Sequence, residues 1–373
     1  MALTDIDGQR LGDSVSDKLG DRNLIINGAQ VLAQRGTSFS MSTTSGFCTD
    51  RFKAVQGSSF DWQSTLTQES DGPDGFSKSL KVNVDTASTP TGSENAALYY
   101  RFEGQDCQQL GYGSNNAKTT TLSFWVKSNK TGTYSVQFAN NNPTKYLLIE
   151  YSINSADTWE YKTMSFVGDT ASTVDNDNAE GLDVRWNLAA GPTDLAAPSN
   201  TWVSTAGIRA SNDQVNLMDA VNNYWQITGV QLEVGNTATP FQHESYAKTL
   251  LKCQRYFQII DGTVSGGALV IGNGSTRTSN NSHIQIPLGI ALRDKPAVSV
   301  TNTIRMTFGG NLANSSADST TVGGVSPSVH TDNTNFNVTL NYNGNIGYTI
   351  AANTGGISMQ LNTPGTFRLD SEL

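Results

Sequence analysis

The chain has 373 residues, enough for two or three domains, and a net charge of −9 from 33 acidic against 24 basic residues. No basic run exists, so no nucleic-acid partner is expected, and no apolar run reaches the roughly 18 residues of a membrane span, so no membrane insertion is expected. Charged residues make up only 15% against about 25% in ordinary soluble proteins; Asn, Thr, Ser and Gly replace them, a mixture suited to turn-rich β-structure with an uncharged polar surface.

Residues 1–22 are polar, with Leu11, Val15 and Leu19 spaced by four. That spacing allows a short helix over 13–19, too short to be stable alone. The segment reads as a tail that is flexible in the free chain and as an anchor peptide that orders on another protein; the two readings are compatible. The first ten residues lack a basic stretch followed by an apolar core, so no secretory signal is expected.

Residues 23–240 read as one large β-domain. Alternation predicts strands over 24–26, 31–34, 50–55, 62–67, 79–83, 96–102, 119–127, 132–139, 147–152, 160–166, 182–188, 202–206 and 225–234. Turn signals such as Asp71-Gly72-Pro73-Asp74-Gly75 separate them. Many short strands with such turns point to a sandwich rather than an α/β fold. In 122–127, Leu122, Phe124 and Val126 share one face and Ser123, Trp125 and Lys127 the other. In 225–234 an unbroken pleat puts Val230, Leu232 and Val234 on one side and Trp225, Ile227 and Gly229 on the other.

The period changes over 241–258. Tyr246, Leu250, Cys253 and Phe257 recur at helical spacing, and Ser245 is a candidate N-cap. This segment reads as a hinge helix. Its apolar stripe suits either a cover on the end of its own sandwich or three copies packed around a threefold axis. Residues 259–373 read as a second, smaller β-sandwich with strands over 268–272, 283–286, 297–300, 304–308, 335–342, 346–351 and 366–373.

Chemistry-bearing constellations are sparse. Cys48, Cys107 and Cys253 are odd in number and lack CxxC spacing, which fits neither a disulfide framework nor a zinc site. His243, His283 and His330 have no metal spacing, and no nucleophile-elbow, phosphate-loop or dinucleotide fingerprint occurs. No cofactor is expected. Asp61, Glu94, Glu103, Asp106, Glu150 and Glu160 could supply a glycosidase pair only at a separation of roughly 5–9 Å, and they read as solvated acids. In Asp175-Asn176-Asp177-Asn178 the glycine of a calcium loop comes one position late, as Gly181, so a polar turn is expected there. Sugars stack on aromatic faces while amides and acids hold their hydroxyls. Of the six tryptophans, Trp186 reads as core and Trp159 as structural. Trp125 and Trp225 lie opposite apolar faces and are the candidates for ligand binding; both also suit packing between subunits or sheets.

Three ordered segments carry a resemblance. They are NLIINGAQVLAQRG (Asn23 to Gly36) followed by Thr49-Asp50-Arg51-Phe52, SNDQVNLMDA (Ser211 to Ala220), and WQITGVQLEVG with Ala238-Thr239-Pro240-Phe241, His243, Ser245-Tyr246 and CQRY. Together they resemble appendage and tail-fibre-like structural proteins of phages, especially short-tailed phages of marine bacteria. The resemblance spans about residues 23–258 and supplies no catalytic residue. It implies a virion protein, assembled in the host cytoplasm, with a jelly-roll domain like carbohydrate-binding modules. The fold class expected is therefore all-β: a jelly-roll β-sandwich, a short linker helix and a second, smaller β-sandwich. A calcium ion held by an acid in the last strand is common in such modules, but Thr228-Gly229 stand where the Asp would be. Phage fibres are usually trimers, so the resemblance implies a homotrimer, with the hinge helix at its axis, docked to another virion protein through residues 1–22. It implies no enzymatic activity and attachment to a host-surface glycan. A capsid or neck decoration protein without receptor binding and a polysaccharide depolymerase are the rival readings.

Overall fold

The computed structural model describes residues 21–41, 45–57, 61–141, 144–204, 207–262, 268–278, 281–301, 304–307, 319–322, 328–329, 337–343, 355–362 and 365–373. Leu11, Val15, Leu19 and the strand expected at 346–351 lie outside the described residues. The chain forms two compact units, one ending at Thr249 and one running Leu250–Glu372.

Two antiparallel sheets form the body of the first unit, with a two-stranded parallel pair, Leu195–Ala196 and Ala210–Ser211, beside them. The front sheet orders its six strands Ser38–Met41, Gln63–Glu69, Ser79–Thr86, Tyr224–Val234, Thr120–Ser128 and Glu160–Phe166. The back sheet orders seven: Ser199–Val203, Thr144–Ile153, Gly132–Asn141, Glu180–Ala190, Asn95–Glu103, Lys53–Gly57 and Gly46–Phe47. Alternation does what the pleat requires, turning one side chain in two inward. Leu122, Phe124 and Val126 meet Val184, Trp186 and Leu98 in one fully shielded core. Aromatic contacts join the sheets: Phe124 meets Trp186 edge-on at 5.9 Å between ring centres, and Phe138 lies tilted against Phe166 at 4.3 Å. This is the jelly-roll-like sandwich expected of the first unit.

The strand Tyr224–Val234 departs from its expected pleat. Trp225 and Ile227 are fully buried, and so are Val230 and Leu232, although the two pairs have opposite parity. A β-bulge between Thr228 and Gln231 shifts the register against Thr120–Ser128. Gly229 sits in it at φ +63°, a conformation that costs glycine little. The extra residue returns the second half of the strand to the core face. Trp225 is thus a core residue, its Nε1 donating to the Tyr151 hydroxyl at 3.1 Å, and the expectation that it faces a ligand is corrected.

Residues 23–36, expected to hold two short strands, form none. Their backbone instead lines up beside the strand beyond its bulge: Leu24 N donates to Leu232 O, and Val230 N to Gly28 O. A Cβ on Gly28 would lie 2.1 Å from the Val230 carbonyl oxygen, so this approach excludes any side chain there. Asn27, at φ +61°, donates from Nδ2 to Leu32 O and Asp50 O and accepts at Oδ1 from Leu32 N. The Asn23 Oδ1 accepts from Ile25 N and Leu232 N. The motif residues of this segment thus do structural work.

Glu233 serves the connector the same way. It is 2% exposed; its Oε1 accepts from Gln231 Nε2 and Thr239 N, and its Oε2 from the Thr239 hydroxyl, with Arg22 at 3.6 Å. Charge-assisted bonds to a buried carboxylate are among the stronger ones. Glu233→Ala should cost about 2–4 kcal/mol, read as a lowered urea midpoint at unchanged slope.

Ser245 caps the helix Tyr246–Gln254 as expected, its Oγ accepting from Lys248 N. The helix stops at Gln254, so the expected stripe of four does not form. Cys253 is buried on the helix, whereas Phe257 opens the strand Phe257–Asp261 and is buried there. Tyr246 is 63% exposed and Leu250 half-buried. Cys253 and Phe257 are therefore committed to the protomer's own interior.

The second unit is the smaller β-sandwich. Thr366–Asp370 lies between Phe257–Asp261 and Ala297–Thr301, with Phe367 and Leu369 buried. A seven-stranded sheet holds Ala268–Thr278 between Gly355–Asn362 and Asn281–Pro287.

Candidate functional site

The outer side of the front sheet carries the aromatic cluster with the clearest ligand geometry. On Thr120–Ser128 the residues between the core positions, Ser123, Trp125 and Lys127, point outward. Their partners on the edge strand Glu160–Phe166 are set by register: Tyr161 stands opposite Trp125 and Thr163 opposite Ser123. Met164 and Phe166 take the inward parity, which leaves Tyr161 outside. Cross-strand neighbours have Cβ atoms roughly 5 Å apart, and here the rings meet, with centres 5.2 Å apart. Tyr161 is 43% exposed and Trp125 half-buried.

Trp159, just before that strand, extends the row. Its ring lies 5.2 Å from the Lys127 ammonium, and its Nε1 points at Asp71 Oδ1 at 3.4 Å. Asp71 also pairs with Lys127 and, at 3.5 Å, with Gln226 Nε2. The hydrogen bond from Lys127 holds the Asp71 carboxyl below its ordinary range, so it is charged in neutral and mildly acidic solution.

On the other side of Trp125 the bulge clears space. A Cβ on Gly229 would lie 2.8 Å from Phe76 and 3.0 Å from Trp125, so both rings rest over this glycine. Phe76 continues into Phe241 and His243, at 5.0 and 5.1 Å between ring centres. A track of rings therefore crosses the sheet, flanked by a carboxylate, an ammonium and amides. Apolar faces with a few directional polar groups at their rim are what sugar rings require.

Of the two tryptophans singled out in the sequence, Trp125 belongs to this face and Trp225 does not. Trp159 is part of the face as well as of the fold, and Tyr161 and the turn residue Asp71 join it without standing out in the sequence as ligand-binding candidates. The signal for Tyr161 was present: 160–166 alternates, with Met164 and Phe166 fixing the inward parity. Asp71 could not be placed, since 88 residues separate it from Trp159.

Three of the acids weighed for catalysis have local partners. Glu94 accepts from Thr91 N, Glu103 from Gln105 Nε2, and Glu160 from the amides of Asn154 and Ser155. The acidic stretch 175–178 packs as a turn on the 3-10 helix Gly104–Leu110, where Gln105 N donates to Asp177 O and Gln108 Nε2 to Val174 O. Among the described residues no three His, Cys, Asp or Glu side chains converge on one point.

No family model matches the chain. No curated protein matches it either. Among solved structures it is similar to tailspike protein 4 of bacteriophage CBA120, described as an enzymatically active domain, at 13% identity and TM-score 0.33. That match covers 57% of this chain and 22% of the tailspike chain, so this chain spans about a fifth of that structure. The family 11 carbohydrate-binding module of a Clostridium thermocellum cellulosomal cellulase is 11% identical with TM-score 0.29, covering 54% of this chain and 97% of the module. The N-terminal cellulose-binding domain of Cellulomonas fimi β-1,4-glucanase C is 10% identical with TM-score 0.29, covering 56% of this chain and 95% of that domain. At these values the likenesses carry no argument about function.

Proposed function

We propose that the chain is a non-enzymatic structural protein of a phage virion, a fibre or appendage that attaches the particle to a host-surface glycan through the front sheet's outer face. The observation that carries the binding half is the half-open pair Trp125–Tyr161 with Trp159 and the charged Asp71 at its rim. The virion half rests on the three ordered segments between Asn23 and Tyr256. In this reading residues 1–22 dock to another virion protein and the assembled appendage is a homotrimer. Of the expected stripe on the helix, Tyr246 and Leu250 are the residues whose exposure leaves them free for a second copy.

The test is binding of the purified protein to host cells and to their extracted surface polysaccharide. Rings at the centre of a contact are worth about 1–2 kcal/mol each or more, so Trp125→Ala with Tyr161→Ala should weaken binding about thirty-fold to several-hundred-fold. The melting temperature should change little, because both rings face outward. A double variant that binds as wild type places the glycan elsewhere. Release of reducing ends from the polysaccharide would overturn the non-enzymatic reading.

A further inference from the structure

The ring track runs into a pocket. Phe241 and His243, its last two members, also line a cavity of about 70 Å³ between the segment 23–31 and the entry to the helix Tyr246–Gln254. Ile25, Ala29 and Val31 join Phe241 as its apolar lining. Gln242, His243 and Glu244 supply polar groups. The walls are set before any ligand arrives. Val230 N donates to Gly28 O, and the Phe241 ring rests on Gly28, where a Cβ would lie 3.3 Å from it. Gln242 N donates to Gln231 Oε1 at 2.8 Å, and Gln242 Oε1 accepts from Asn23 N at 3.0 Å. Walls already ordered cost a ligand little entropy. His243 is exposed, with its ring 4.8 Å from Phe241 and 5.1 Å from Phe76 between centres. Among the described residues no hydrogen bond occupies its ring nitrogens.

Size and lining select what enters. An enclosed cavity of about 150 Å³ takes one benzene, so about half that volume takes a group of roughly four heavy atoms. A whole sugar ring is too large, and the occupant is one substituent of a sugar lying on the track. A hydroxyl would leave the apolar lining facing water. The lining holds a carboxylate and no lysine or arginine, so a carboxylate, sulfate or phosphate substituent would be repelled. An ammonium would need a carboxylate of its own, and Glu244 already pairs with Lys248 at 3.2 Å. An acetamido group meets each requirement. Its methyl suits Ile25, Ala29 and Val31, and its N–H and C=O suit polar side chains, the mixture that small-molecule pockets offer.

We propose that this pocket receives the acetamido group of an N-acetylated amino sugar carried on the ring track. The inference names the glycan class for the face described above and rests on the glycan-binding reading of that face.

The experiment uses the full chain and three β-1,4-linked tetrasaccharide probes, of N-acetylglucosamine, glucosamine and glucose, which differ only at C2. Affinities are read by calorimetry. The N-acetylated probe should bind about tenfold or more tightly than the glucose probe, from one buried methyl and about one added hydrogen bond. The glucosamine probe, cationic against a chain of net charge −9, controls for charge. If it matches the N-acetylated probe, the selectivity is electrostatic and the pocket proposal is wrong. Ala29→Leu, which fills the pocket, should abolish the acetyl preference and leave the glucose probe's affinity unchanged. Saturation-transfer NMR on the wild type is a second readout that needs no variant: the acetyl methyl should receive the strongest saturation, and a methyl weaker than the ring protons overturns the proposal. Equal binding of all three probes, lost in Trp125→Ala with Tyr161→Ala, overturns the pocket and leaves the binding face standing. An acetyl preference that Ala29→Leu removes and the double ring variant keeps supports the pocket and counts against the Trp125–Tyr161 pair. Binding of none of the probes overturns the pocket proposal, whereas the face is judged separately on the host polysaccharide.

Discussion

Asp183→Ala should destabilise the first unit by about 3–5 kcal/mol, the usual cost of breaking a buried ion pair from one side. Asp183 is 0% exposed and Arg185 7%. They lie two residues apart on one strand, so both project from the same side of the back sheet. Arg185 Nε and Nη2 grip the two carboxylate oxygens at 3.0 and 2.6 Å, and its Nη1 reaches Gln137 Oε1 at 3.3 Å. The guanidinium lies 4.6 Å from the Tyr99 ring centre. Burial works against the Arg185 charge, but Asp183 more than offsets it, and the group holds its proton more tightly than a free arginine. Removing the carboxylate leaves that charge buried with an amide and a ring for company. The check is a lowered urea midpoint at unchanged slope. Arg185→Leu added to Asp183→Ala should recover much of the loss, since the cost belongs to the abandoned charge rather than to the missing bonds. A single variant within about 1 kcal/mol of wild type would mean that water reaches Arg185 freely.

Where side chains alternate without interruption, the sequence was a sufficient guide. The strand Glu160–Phe166 has its expected bounds, and Leu122, Phe124 and Val126 face inward as read. Those segments are legible because the core selects one parity and nothing else competes. The reading failed where backbone geometry departs from regular pairing. Asn27 and Gln30 take positive φ, so 23–36 cannot continue as strand although its apolar residues suggest one. Phe257 fits both a helical stripe and the start of a strand; pairing with Asp370, more than a hundred residues away, decides between them. The site was half legible for the same reason. Trp125 stands out on its own strand, but its neighbours Tyr161, Trp159 and Asp71 reach it through register and long-range contact, which no local pattern encodes. Trp225 was misplaced by one inserted residue, and the glycine at 229 was the only local mark of it.

That glycine links fold and site, and Gly229→Val is expected to damage both. Valine at φ +63° is a steric outlier, and its Cβ would lie 2.8 Å from Phe76 and 3.0 Å from Trp125. Strain and overpacking together should cost about 3 kcal/mol. The strand could escape by closing the bulge into a regular pleat, but then either Trp225 and Ile227 or Val230 and Leu232 would leave the core. Exposing two such side chains costs about 1.5–3 kcal/mol each, more than the strain. The folded variant should therefore keep its bulge and push the two rings aside, which displaces Trp125 from Tyr161. Glycan binding should then fall by about tenfold or more even at temperatures where the protein is fully folded. Leu66→Ala, a fully buried change on a strand remote from these rings in register, should cost a similar 2–5 kcal/mol or so and leave binding intact. If both variants lose binding in proportion to stability, the loss reflects unfolding. If only Gly229→Val loses it, the bulge exists as much to seat Trp125 and Phe76 over the sheet as to keep four large side chains in the core.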